Sequence, residues 1–88
     1  AVSLNNLAWL LVTVPNEALR DKTRALYLAK KAVELEKSPV FLDTLAEAFY
    51  ANGFLQEAIG TIKEAISLEP GHTEYYEKQL RKFLASKN

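Results

Sequence analysis

Residues 38–70 read SPVFLDTLAEAFYANGFLQEAIGTIKEAISLEP, and the punctuation of this stretch decides the fold. Ser38 followed by Pro39 marks a helix start: a hydroxyl able to cap, then a proline at the first helical position, where its missing N–H costs nothing. Asn52-Gly53 supplies a left-handed stop near Ala51. A second helix is predicted from about Leu55 to Leu68, closed by Pro70-Gly71. Ala46 on the first helix and Ala58 and Ala65 on the second fall where two helices joined by so short a turn must touch. Larger side chains there would hold the backbones apart, at a typical cost of about 1–3 kcal/mol.

Outward from this pair, the same grammar covers the chain. A first helix is predicted from about Leu4 to Val14, with Ser3 as its cap and Leu4, Leu7, Ala8 and Leu11 at helical spacing. Pro15-Asn16 ends it, and a polar stretch leads to Asp21, the cap of a helix running to about Glu36. The inward face of that helix is read as Ala25, Leu28, Ala29, Ala32 and Leu35. A wetter fifth helix, about Thr73 to Ala85, carries Glu74, Glu77, Lys78, Arg81 and Lys82. No segment alternates with period two, so no sheet is expected.

The chain also repeats itself. LNNLAWLL at 4–11 matches LDTLAEAF at 42–49, an offset of 38 (42 minus 4). ALYLAKKAVELE at 25–36 matches AIGTIKEAISLE at 58–69, an offset of 33 (58 minus 25). A duplicated helix pair is the mark of a helical solenoid. The second pair resembles the tetratricopeptide repeat family, whose pattern is W-x2-L-G-x2-Y, A-x3-F and P. Leu42, Leu45, Ala46, Phe49, Ala58, Ile62 and Pro70 keep every spacing, several with conservative substitutes. The resemblance implies an all-α superhelix of antiparallel helix pairs with five helices. Repeat 1 would be 1–37, repeat 2 would be 38–71, and 72–88 a capping helix in which Tyr76, Leu80 and Phe83 keep a first helix's spacing. Repeat 1 departs from the pattern by an enlarged loop at 13–22, about five residues longer than its counterpart, and by Lys37 in the place of Pro70.

In this family the first helix of each pair lines a concave groove that takes extended peptides or partner helices. Carried over, that geometry selects Asn5, Trp9 and Val12, then Asp43, Glu47 and Tyr50, then Glu77, Arg81 and Leu84. Some members grip a peptide's C-terminal carboxylate with lysine, arginine and asparagine. Here Asn5 and Arg81 are separated by Asp43 and Glu47, so a basic or neutral partner is expected rather than an acidic one. Structural roles are open to the same residues. Trp9 packs equally well against the second helix or the loop, and Asn5 and Asp43 could hydrogen-bond across neighbouring helices. Tyr27, Tyr50, Tyr75 and Tyr76 suit the edge of a core, with an apolar body and a wet tip.

Composition narrows the function. Of 88 residues 49% are apolar, ample for a packed core, and eleven basic side chains balance eleven acidic ones. That balance lacks the basic excess of a nucleic-acid binder. Without cysteine there is no disulfide framework, thiolate metal site or cysteine nucleophile. No apolar run approaches the ~20 residues that span a bilayer, and no signal peptide is visible. The absence of methionine, even at residue 1, reads as a piece of a longer protein. The compartment stays open between cytoplasm and periplasm.

Neither catalysis nor a cofactor is expected. Asp43 and Glu47 lie one helical turn apart, but paired acids on a helix are commonplace, and His72 is the sole histidine, in a turn. Gly53, Gly60 and Gly71 form no phosphate loop; Gly60 lies mid-helix, where it would permit close packing. The leading expectation is a protein-interaction scaffold. Self-assembly through Val2, Leu10 and Val14, or regulation of an enzyme in the same polypeptide, are the alternatives.

Overall fold

The computed structural model describes residues 2–14 and 21–86. Among them are five α-helices and no strand: α1 (Val2–Thr13), α2 (Lys22–Leu35), α3 (Pro39–Ala51), α4 (Leu55–Leu68) and α5 (Glu74–Ala85). A 3-10 turn, Pro70–His72, precedes α5. The middle of the enlarged 13–22 segment, residues 15–20, and the side chain of His72 lie outside the described residues.

The helix ends follow local chemistry. Asp21 Oδ1 accepts from the Arg24 N–H at 3.1 Å and Ser38 Oγ from the Phe41 N–H at 3.2 Å, each silencing a donor that the first turn leaves unpaired. At the end of α3, Gly53 takes φ 82°. This lets the Phe54 N–H reach Phe49 O at 2.9 Å and the Gly53 N–H reach Tyr50 O at 3.1 Å. The paired bonds form a Schellman stop, and its usual apolar contact is present as the Phe49 and Phe54 rings, edge to face at 6.4 Å. A turn this short folds α4 back antiparallel along α3. Asn52 adds a longer tie, donating from Nδ2 to Lys22 O at 2.9 Å, which pins the start of α2 to the end of α3.

Each helix packs on the next, and α1 also packs on α3. α3 is the shared wall of two core clusters. Leu42 and Ala46 meet Ala58, Ile62, Ala65, Tyr76 and Phe83 on one side. Leu45 and Ala48 meet Ala8, Val12, Ala25, Leu28 and Ala29 on the other. Ala46, Ala58 and Ala65 are completely buried at the seam.

Four expectations are corrected. Ser3 lies inside α1, which is already helical at Val2. The buried stripe of α1 is Asn5, Ala8 and Val12, which leaves Leu7 at the exposed edge; α1 is apolar nearly all round, so spacing alone does not choose its face. Leu35 is 67% exposed, because α2 ends there and the backbone turns extended at Glu36, beyond its packing partners. Gly60 is exposed, and a Cβ built on it would meet nothing within 4 Å, so it serves no close approach.

Gly60→Ala therefore removes backbone freedom from the unfolded chain without a clash and is expected to stabilise by about 0.5–1 kcal/mol. Ala58→Leu, at the sealed α3–α4 seam, is expected to cost about 1–3 kcal/mol or more. Urea titrations followed by circular dichroism read both; a neutral or destabilising Gly60→Ala would contradict the open site.

Candidate binding groove

α1, α3 and α5 lie side by side. α5 is rotated about its axis by two anchors, buried Tyr76 and fully buried Phe83, the latter ring 4.9 Å from Tyr50. With about 100° between successive residues, this turns Tyr75, Gln79, Lys82 and Ser86 toward α3. Gln79 Nε2 donates to Asp43 Oδ1 at 3.2 Å and to Glu47 Oε2 at 3.3 Å. Lys82 Nζ binds both Glu47 oxygens, at 3.0 and 2.8 Å, and Tyr50 Oη lies 2.8 Å from Ser86 Oγ.

Above this latch the three helices enclose an open cavity of about 580 Å³. α1 contributes Asn5, Asn6, Trp9 and Leu10; α3 contributes Val40, Asp43 and Thr44; α5 contributes Tyr75 and Tyr76. The two tyrosine rings meet edge to face, 5.7 Å apart and 75° between planes, so they present walls in two directions. Leu10 and Val40 form an exposed apolar rim.

The nine residues carrying the expected groove divide on this geometry. Asn5, Trp9 and Asp43 line one cavity. Glu47 and Tyr50 lie further along α3, tied to α5 by Lys82, Gln79, Phe83 and Ser86. Val12 is buried in the α1–α2 core. Glu77 is exposed and accepts from Thr73 Oγ1 at 2.9 Å, and Arg81 borders a separate depression with Glu74, Tyr75 and Lys78. Leu84 is also exposed. Both flanks of the Tyr76–Phe83 stripe are rich in polar residues, and spacing alone does not say which flank turns to α3; it is the one bearing Gln79 and Lys82. Asn6, Leu10, Val40, Thr44, Tyr75 and Tyr76 are the lining residues that the stripe rule passed over.

The floor is polar and under-satisfied. Asn5 and Asp43 are each only 6% exposed. Asn5 Oδ1 is buried with no hydrogen-bond partner, a condition that typically costs about 1–3 kcal/mol. Burial pushes the Asp43 carboxyl up from 3.8 to about 6; the Gln79 bond opposes this, the Glu47 charge adds to it, and Tyr75 and Lys82 oppose it more weakly. The Tyr75 hydroxyl is pushed up to about 12, by burial first and then by the Asp43 charge. Lys82, whose charge Asp43 feels, is itself bonded to Glu47, and among the described residues no lysine or arginine forms an ion pair with Asp43.

Among the described residues no cluster of His, Cys, Asp or Glu is placed to hold a metal ion, and no helix is long and apolar enough to cross a membrane. No protein-family model, curated protein or solved structure matches the chain.

Asp43 leaves a signature in stability. Between about pH 4 and 6 the folded carboxyl holds a proton that the unfolded chain has lost, so its contribution falls as pH rises through this window and is flat above it. Asp43→Asn keeps an acceptor for Gln79 and removes the buried charge. Its stability relative to the parent is expected to grow by about 2–3 kcal/mol between pH 4 and 7, read from urea midpoints; a difference independent of pH would show that Asp43 titrates normally.

Proposed function

We propose that this chain is a protein-interaction module of the tetratricopeptide kind, and that it binds an extended peptide of a partner protein in the groove bounded by α1, α3 and α5. The observation that carries this reading is the cavity itself: aromatic walls, an exposed apolar rim and a polar floor that the protein's own groups leave incompletely satisfied. Pockets of this kind, apolar with a few convergent polar groups, are the usual form of a binding site. The solenoid assignment is supported by the repeat offsets, by the sealed alanine seam between α3 and α4, and by the lateral contacts of α1 with α3 and of α3 with α5. A role without catalysis fits Glu47, which is engaged by Lys82 and Gln79 rather than held free beside Asp43.

A second reading, self-assembly, has its own observation. Val2 and Leu10 on α1 are both more than half exposed and form an apolar edge. On that reading the edge pairs with another copy.

Two measurements test these readings. Peptides selected from a display library of unstructured sequences are expected to lose at least about tenfold in affinity when Leu10→Glu and Val40→Glu are combined on the groove rim, with the helical circular dichroism unchanged. Failure to enrich any peptide over this variant would overturn the groove reading. Sedimentation across the micromolar range is expected to give a monomer, whereas a concentration-dependent dimer lost in Leu10→Glu would favour self-assembly.

A further inference from the structure

We infer that the groove floor is a receptor for one arginine side chain of the bound peptide, with Asp43 as its counter-ion, Asn5 as a second acceptor, and Trp9 and Tyr75 as stacking walls. The inference rests on the peptide-binding reading above and deepens it.

The chemistry is read from what the floor lacks. Asp43 is a buried carboxylate bonded by a neutral donor, Gln79, while the nearby Lys82 ammonium is engaged by Glu47. Asn5 Oδ1, on the opposite helix but in the same cavity, has no donor at all. Both groups ask for N–H donors and at least one asks for positive charge.

Guanidinium fits this demand better than ammonium. It offers five N–H donors in a rigid fork, enough to serve a carboxylate and an amide oxygen together, and its flat, weakly hydrated face stacks on aromatic rings. Trp9 on α1 and Tyr75 on α5 both line the cavity. A planar cation over such rings is attracted by their quadrupoles, more strongly where water is displaced. An ammonium is a compact, strongly hydrated charge that would leave these walls less fully used.

Trp9 is the sole tryptophan, so its indole reports on the cavity directly. The probes are acetylated, amidated tripeptides Ala-X-Ala with X as arginine, lysine, citrulline or leucine, titrated while the indole N–H resonance is followed. The arginine probe is expected to bind at least about tenfold tighter than its neutral isostere citrulline, as a charge-assisted pair requires, and also tighter than lysine. Asp43→Asn, with its helical circular dichroism checked against the parent, is expected to erase the arginine preference. Equal binding of citrulline, or an arginine preference that survives Asp43→Asn, overturns the inference; equal binding of lysine overturns the guanidinium assignment. If the leucine probe binds as well as the arginine one, the inference fails while peptide binding in the groove stands. If no probe moves the Trp9 signal, the inference also fails, and the rim variants separately decide the groove reading.

Discussion

Close approach of helix backbones, permitted by alanine, is the constraint on which the rest of the structure depends. Ala8, Ala25, Ala29, Ala32, Ala46, Ala48, Ala58 and Ala65 are all completely buried, and they are spread over α1, α2, α3 and α4. Each hides little area, so the transfer of apolar surface from water contributes modestly per residue. Their gain is proximity: with no bulk between them, neighbouring backbones and flanking Leu42, Ile62 and Phe83 come within dispersion range along whole helices. The same closeness makes the seams intolerant of added volume.

One consequence is that α3 has scarcely any free face. Phe41, Leu42, Asp43, Thr44, Leu45, Ala46 and Ala48 are all buried. A helix enclosed in this way would ordinarily be apolar throughout. Thr44 solves its difficulty locally by donating to Val40 O at 3.3 Å. Asp43 cannot, and depends on α5, whose Gln79 reaches it only because Phe83 and Tyr76 fix the rotation of that helix. Groove and core are thus coupled: the residues that seat α5 also set the distance between its Tyr75 wall and the carboxylate on the floor.

The helix starts and stops of α2, α3 and α4 were legible because they rest on local chemistry: a capping Asp21, the Ser38-Pro39 pair, the positive φ at Gly53. The alanine seam was legible too, since small residues at corresponding points of paired helices are what close backbone approach requires. What resisted was rotation. α1 is apolar around most of its circumference, so its buried stripe of Asn5, Ala8 and Val12 could not be separated from Leu4, Leu7 and Leu11 by period alone. α5 has polar residues on both sides of its anchor stripe, so Glu77 and Arg81 fitted the helical period as well as Gln79 and Lys82 did. In both helices the choice is made by tertiary packing, which a one-dimensional period does not contain. Asn5, Trp9 and Asp43 came from the groove geometry that the family resemblance implies, and the same stripe also picked Val12, which the core buries.

That offset also accounts for why the floor is left unsatisfied. Asn5 and Asp43 occupy corresponding positions in the sequence, 38 apart (43 minus 5). Asp43 is served from α5 by Gln79. Aligning Tyr76 with Leu42, and Phe83 with Phe49, places Gln79 opposite Leu45 in the repeat. The residue of α3 that would stand to Asn5 as Gln79 stands to Asp43 is therefore a leucine, committed to the α1–α2 core and unable to donate. Stability alone would favour an apolar residue at Asn5, and a neutral one at Asp43, since each polar group lies buried against its own solvation. Asn5 and Asp43 line one aromatic cavity, and the buried Asn5 oxygen has no donor, so the protein's own groups leave the hydrogen bonding of this floor incomplete.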